Sequence, residues 1–425
     1  METLKQVIRE GVTAFHGAAY VKQQLLQCGF QELQYGADWK VEQGRGYVLM
    51  PYPAMLIAIS IGELGEGSAL RLAAAHTDSP CLKVKANPEL PGKCCVRMNV
   101  EPYGGLLKST WFDRPLGIAG KVVLNGRDVF HPEVRYMKSK QAICIIPSLA
   151  PHLSKENKQQ EIDVQRELIP IAGSYEDADF LSVYLEQVLQ VQRNEILDYD
   201  LYLYNMEQPE ETGIRGDLFT APRIDNLASV AALLEAMEET VSSKHKNIAV
   251  AAMFDNEEIG SRSKQGADSV LLLQVLEKLG AALGIEESEW KDSIAKGFLL
   301  SLDGAQGYHP NYSDKSDPTN PVYLGKGVVI KTSASQRYVT DSEASAIIKK
   351  LCFYADIPWQ QQVNRSGMPG GQTLGPMISS YLPILGADVG IPMLAMHSAR
   401  ELAAGGDYQA LVKLVKAFYQ YGASE

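Results

Sequence analysis

No apolar run in this chain of 425 residues approaches the ~20 that a membrane-spanning helix requires. A basic block is also missing. Lys and Arg number 40 against 51 Asp and Glu, a formal charge of −11, which makes nucleic acid and anionic membranes poor partners. The six cysteines, Cys28, Cys81, Cys94, Cys95, Cys144 and Cys352, show no CxxC spacing. They predict reduced thiols packed in the interior, rather than a disulfide framework or a structural zinc knot. Vicinal Cys94 and Cys95 read as packing within a strand. No GxxxxGK[ST] phosphate loop occurs, and there is no internal repeat or low-complexity tract. The opening METLKQVIREGVTAFHGA mixes charged with apolar residues and has no apolar signal core, so a cytoplasmic protein is expected.

What is present is ordinary globular composition, 45% hydrophobic and 21% charged, in a length that suggests about two domains. Val7, Ile8, Val12, Phe15 and Ala19 recur at helical spacing. Short β-rich runs follow at 47–50, 55–61 and 70–75. From about residue 88 the texture changes: strand-like segments such as 96–100 and 120–124 alternate with turns, a polar stretch fills 154–167, and 199–204 alternates again. An α/β rhythm returns at about 219. It reads as helix 223–240, strand 247–254, helix 268–283, strand 298–302, a long loop, helices 341–355 and 372–381, strand 393–396 and a last helix 407–421. This pattern predicts an α/β fold with a mixed, mainly parallel sheet and helices on both faces. A β-rich insert at 88–218 interrupts a main domain made of 1–87 and 219–425.

The stretch FDNEEIGS (254–261) places Asp255, Glu257 and Glu258 directly after the apolar run 248–253. Carboxylates beside so buried a strand demand a counter-ion or a shifted pKa. Three other apolar runs end in comparable groups: His76 and Asp78 follow 70–75, Asp303 follows 298–302, and His397 follows 393–396. Asp225 opens the helix beginning RIDNLAS. Taken singly, each has a plainer role: a hydrogen-bonded core histidine, acids at the positive end of a helix, an N-cap. Together, at the strand edge where α/β sheets bind ligands, two His and three carboxylates suit a two-metal site that retains water. One ion would take His76, Asp225 and Asp303; the other would take Asp225, Glu258 and His397. Glu257 is left over as a general base, and Asp78 is placed to orient His76. Two divalent ions are implied, zinc first, with cobalt or manganese fitting similar ligands.

The blocks AHTDSPCLKVK (75–85), WFDRPLGIAGKV (111–122), PRIDNLAS (222–229), FDNEEIGS (254–261), HPNYSDK (309–315) and LAMHSARE (394–401) resemble the M18 aminopeptidases, the aspartyl aminopeptidase family. They run in family order over essentially the whole chain. The resemblance implies a zinc-exopeptidase-like fold and a co-catalytic dizinc aminopeptidase with Glu257 as base, removing an acidic N-terminal residue from peptide substrates. It implies that the insert is a dimerisation domain and that dimers build a tetrahedral dodecamer. It implies that His152, in SLAPHL, reaches a neighbouring subunit's active site, that Lys331 lies near the substrate side-chain pocket, and that His309 helps to position substrate. The loop 366–376 resembles a substrate-side loop. In one place the chain departs from the family, where a DxAH pattern is common and Gln306 replaces the His. That substitution leaves room for broader or neutral specificity. Outside this activity the same ligands would serve a dizinc deacylase or carboxypeptidase, and a cage without turnover is the non-enzymatic alternative.

Overall fold

The computed structural model describes residues 1–90, 94–153, 161–175, 179–368 and 370–422. Of the polar stretch read at 154–167, residues 154–160 lie outside that set. Backbone contacts divide the chain into two compact units. The first comprises Met1–Asp78, Pro209–Met396 and Glu401–Glu425; the second comprises Ser79–Gln208 with His397–Arg400. Sequence texture had placed the change near 88 and 218.

The first unit is organised by a nine-stranded sheet. Its strands are β1 (Gln31–Glu32), β2 (Arg45–Tyr52), β3 (Met55–Ile61), β4 (Leu70–His76), β5 (Ile248–Phe254), β6 (Phe298–Leu302), β7 (Val328–Thr332), β8 (Trp359–Val363) and β9 (Leu385–Gly390). The spatial order is β1-β2-β3-β5-β4-β6-β9-β7-β8. The central run β5-β4-β6-β9 is parallel throughout, which is why these strands read as unbroken apolar segments rather than alternating ones. Antiparallel pairs join β2 to β3, β3 to β5 and β7 to β9.

Side chains alternate between two cores. Ala73 and Ala75 of β4, with Ala249, Ala251 and Met253 of β5, face one cluster; Leu72, Ala74, Val250 and Ala252 face the other. Helices α1 (Glu2–Glu10), α2 (Ala14–Gln27), α3 (Ile224–Ser242), α6 (Ser342–Tyr354) and α8 (Gly405–Gln420) contribute to the first cluster. Helices α4 (Leu271–Ala282), α5 (Glu287–Ala295) and α7 (Leu374–Tyr381) contribute to the second. Helices therefore cover both faces, as a mainly parallel sheet requires.

Three expectations need correction. The strand read at 393–396 is Pro392–Leu394, and it belongs to a separate five-stranded sheet with Glu210–Thr212, Leu218–Ala221, Glu401–Ala404 and Ala305–Gln306. The strand that enters the main sheet is β9, whose sequence LGADVG hides its role behind two glycines and a fully buried Asp388. The polar edge strand β8 and helix α5 were not legible either. Finally, the cysteines are not uniformly core thiols: Cys144 and Cys352 are buried, but Cys28 and Cys94 are exposed, and Cys94 and Cys95 precede the strand Val96–Tyr103 rather than lying in it.

The second unit is built on a six-stranded antiparallel sheet. Its order is His131–Lys138, Leu116–Asp128, Ile196–Asn205, Cys81–Leu90, Val96–Tyr103, Ile171–Gly173. One face is apolar through Leu82, Val84, Ile118, Leu201 and Leu203. On the opposite face Asp200 carries ion pairs to Lys83 at 2.8 Å and Lys121 at 2.9 Å.

At the end of β9 the backbone comes against the segment that follows β6. Asp303 N donates to Val389 O at 3.1 Å and Ala305 N to Ile391 O at 2.9 Å. A Cβ on Gly390 would fall 1.7 Å from the carbonyl oxygen of Asp303, so only glycine fits this close approach. Gly390→Ala is expected to destabilise the protein by roughly 1–3 kcal/mol or more, as overpacking does, and to displace Asp303. Urea unfolding checks this; an unchanged midpoint would show that the Asp303 carbonyl moves aside at no cost.

Candidate metal centre

Parallel pairing of β4 and β5, with His76 opposite Phe254, makes the two strands leave the sheet side by side. Thr77 ties them together: its amide donates to Phe254 O at 2.8 Å, and its hydroxyl contacts Ala54 O and Phe254 O at 2.8 and 3.0 Å. The next residue, Asp78, is buried and accepts from the amides of both Glu257 and Glu258, each at 3.2 Å. It also orients His76, whose Nδ1 lies 3.0 Å from the Asp78 carbonyl and 3.3 Å from Asp78 Oδ1. With Nδ1 held by acceptors, Nε2 faces Asp225 Oδ1 and Asp303 Oδ1, both at 3.6 Å.

Asp225 gets its position from an irregular helix start. Asp225 and Asn226 have non-helical dihedrals within α3, and their shared peptide bond is cis. The Asp225 amide donates to Glu401 Oε2 at 3.0 Å, and Asn226 Nδ2 donates to Leu302 O at 2.8 Å. These bonds anchor the turn between β6 and the small sheet. Asp255, the first acid of the FDNEEIGS stretch, is occupied by its own loop, accepting from Asn256 N at 2.8 Å and from Gln265 Nε2 at 2.7 Å.

Ligand atoms of His76, Asp225 and Glu258 lie within 4.8 Å of one another. For zinc ligands about 2.0–2.1 Å from the ion, the edge of a coordination tetrahedron is roughly 3.4 Å. The 3.6 Å separations from His76 Nε2 to Asp225 and Asp303 are close to that edge. Donor chemistry agrees: one imidazole and several carboxylates suit a divalent catalytic metal.

Electrostatics point the same way. Burial pushes Glu257 up to about 8; Asp303, Asp78 and Asp225 add to the rise, against His76. Burial and Asp225 hold Glu258 well above the usual carboxylate range. For His76, burial alone would lower the pKa, but bonding to Asp225, Asp303 and Asp78 outweighs it and holds the ring well above its ordinary value. Asp303 is the opposite case: burial opposes its ionisation, yet Lys331 and His76 bring it well below the usual range. Glu257 and Glu258 thus wait for positive charge, and a bound dication would supply it.

Six of the expected site residues, His76, Asp78, Asp225, Glu257, Glu258 and Asp303, thus come together in the first unit. Lys331 joins them, buried, with Nζ 3.4 Å from Asp303 Oδ2; this ion pair was not foreseen. Glu401, buried behind Asp225, was also missed, although it ends the block LAMHSARE. His397 falls in the second unit. There its Nδ1 lies 3.0 Å from Gly105 O, which fixes the proton on Nδ1 and leaves Nε2 the basic nitrogen. His152 is exposed in the turn Pro151–Leu153 of the same unit. His309 caps the turn Pro310–Lys315 by accepting from Asn311 N at 3.2 Å, and its ring meets Tyr312 edge-on at 4.9 Å. With Gln306, Lys315, Gln362 and Arg365 it lines a cavity of about 410 Å³. The loop 366–376 reaches this cavity through Met368, Gly370 and Gly371; Pro369 is outside the described residues.

A family profile described as "Aminopeptidase I zinc metalloprotease (M18)" matches residues 7–419. A protein of Clostridium novyi (strain NT) called probable M18 family aminopeptidase 2 is 39% identical over 424 residues, covering 98% of this chain and 97% of that protein. Its namesake in Pseudomonas syringae pv. syringae (strain B728a) is 37% identical over 97% of this chain and 96% of its own length. Among solved structures, the cryo-EM structure of the Ape4 and Nbr1 complex contains a chain 32% identical, with a TM-score of 0.93 over 99% of this chain and 85% of that one. An M18 aminopeptidase from Thermotoga maritima has the same fold, with a TM-score of 0.84 at 22% identity over 98% of this chain and 94% of its own. No helix among the described residues is long and apolar enough to cross a membrane.

The raised values of Glu257, Glu258 and His76 make the metal-free fold retain protons. The stability that Glu257 contributes is therefore present below its unfolded value of 4.5 and lost as pH rises through about 8. Zinc should restore it, so the gap in melting temperature between zinc-loaded and metal-stripped protein is expected to widen from pH 6 to pH 8. Thermal melts at the two values check this; an equal gap would mean that these acids ionise freely without metal.

Proposed function

The chain belongs to the M18 family of zinc metallo-aminopeptidases, hydrolases acting on peptide bonds, and on that premise we propose a co-catalytic two-zinc site that removes the N-terminal residue of peptides, acidic residues first. The observation that carries this reading is the buried set of carboxylates around His76 Nε2, with Asp225 and Asp303 each 3.6 Å from it and Asp225 grouped with Glu258. One ion would be held by His76, Asp225 and Asp303. The second would be held by Asp225, Glu258 and, by the family motif LAMHSARE, His397.

When bound, the two ions polarise the scissile carbonyl and lower the pKa of water. Glu257 is the base: it takes a proton from the attacking water and returns it to the leaving amine. Its burial and the neighbouring acids keep its carboxylate basic enough for both transfers. Asp78 keeps His76 in the tautomer that presents Nε2, and through the amides of Glu257 and Glu258 it fixes the base relative to a ligand. A free α-amine, which internal peptide bonds lack, would bind near a metal and an acidic ligand, and this confines cleavage to the N-terminus. For the first side chain, the cavity beside Gln306 and His309 carries Lys315 and Arg365, cations that favour Asp or Glu.

The second unit serves as a dimerisation domain in this reading, with dimers building a tetrahedral dodecamer. A yeast relative of the same fold is described as a dodecamer. In such an assembly the exposed His152 of one subunit completes a neighbour's site and steadies the oxyanion. The protein would work in the cytoplasm.

Glu257→Gln is expected to keep its zinc and to lose turnover by ~10²–10⁴, the usual worth of a positioned base, while Glu258→Ala loses zinc. Metal analysis beside release rates from aminoacyl chromogenic amides checks both. A fully active Glu257→Gln variant would remove it from the base role. In the same panel, Asp and Glu amides should be cleaved fastest; faster release of neutral residues would trace to Gln306.

A further inference from the structure

The cavity beside Gln306 and His309 has a counterpart on the other flank of the ligand set. Its volume is about 440 Å³, and Ile259, Gly260, Arg262, Gln372, Pro376 and Met377 are among the residues that line it. Both cavities belong to the first unit. The first adjoins the segment after β6 and the second the segment after β5, while β4, which ends in His76, lies between those two strands. The loop 366–376 serves both: Met368, Gly370 and Gly371 line the first cavity, and Gln372 and Pro376 line the second.

The second cavity starts where base and ligand end. Glu257, Glu258 and Ile259 form one turn, closed by Gly260 N donating to Glu257 O at 2.9 Å and Ser261 N to Asn256 O at 2.7 Å. A base that returns its proton to the leaving amine has the residue of that amine beside it. With the first side chain lodged on the β6 flank, the leaving residue falls on the β5 flank, over Ile259. That side chain is 56% exposed, and with Pro376 and Met377 it gives the cavity an apolar wall.

Arg262 stands at the same cavity with its side chain 88% exposed and Nε 3.5 Å from Asp268 Oδ2. Asp268 Oδ1 accepts from the Tyr381 hydroxyl at 2.9 Å, so the carboxylate that steadies the Nε edge is itself held. A guanidinium has a second edge, made by its terminal amino groups, which a carboxylate fits through two parallel hydrogen bonds. In a dipeptide that carboxylate sits on the leaving residue itself.

We propose that this cavity receives the residue after the cleaved bond, and that Arg262 binds the free carboxylate of that residue, which makes dipeptides favoured substrates. The proposal rests on the aminopeptidase reading and adds to it a second point of recognition.

The test offers the zinc-loaded protein two substrates, Xaa-Leu and Xaa-Leu amide, Xaa being the residue released fastest in the aminoacyl panel. For the wild type, kcat/KM should be roughly five-fold higher for the free acid, the worth of one exposed charge pair, and the difference should lie in KM. Arg262→Gln should lose this preference. Arg262→Lys, which keeps the charge but not the planar fork, should retain part of it. Raising the ionic strength to about 1 M, where screening reaches down to ~3 Å, should weaken the wild-type preference as well. Equal rates for acid and amide in the wild type, or a preference that survives in Arg262→Gln, would overturn the proposal. Failure of the aminopeptidase reading would look different, since the wild type would then cleave neither substrate, whereas without the subsite it still cleaves both.

Discussion

The first unit depends on one constraint: too many carboxylates are buried around one imidazole. Asp78, Asp225, Asp303, Glu257 and Glu258 surround His76, and Lys331 pairs its ammonium with Asp303. Burial of this kind is costly without a counter-charge. Three parallel strand ends, those of β4, β5 and β6, deliver most of these groups to one edge, and the packing of the two apolar cores holds the edge rigid. Stability and chemistry therefore meet in the same place, since the ionisation that a metal needs is the one that the metal-free fold resists.

Asp78 links the parts. It is no ligand in the proposed scheme, yet one carboxylate touches the imidazole that must present Nε2 and the amides of both Glu257 and Glu258. A shift of β4 relative to β5 would move ligand, base and orienting group together. The base keeps its distance from His76 and Glu258 because all three are tied to one carboxylate, rather than because each is held separately. Gly390 does comparable work on the other side, where its missing side chain lets β9 close on the Asp303 carbonyl.

Much of this was legible in the residues. The apolar runs 70–75, 247–254 and 298–302 announced buried parallel strands, and the acids and His76 after them announced an edge with metal chemistry. What escaped has physical reasons. β9 carries two glycines and Asp388, and its polarity is satisfied only by tertiary partners such as Val339 N, so no local pattern reveals a central strand. β8 is an edge strand with three glutamines. Asp225 could be read as a simple cap because the irregular backbone at the start of α3 has no sequence period. By itself Lys331 reads as a solvated strand lysine, since nothing in VVIKT discloses that Asp303 lies beside its ammonium. Pairings between segments distant in sequence are what periodicity cannot supply.

The short return of the chain at His397–Arg400 has a consequence for modularity. These four residues come from far downstream, yet they complete the second unit. The Gly105 carbonyl meets the His397 ring, Thr110 Oγ1 accepts from Ala399 N at 2.9 Å, and Asn205 Nδ2 donates to Ala399 O at 2.9 Å. The second unit is thus no cassette that could be cut out at two points and replaced with a linker, or grafted whole from a relative. Excising Ser79–Gln208 would strand a histidine whose orientation is written in the removed segment.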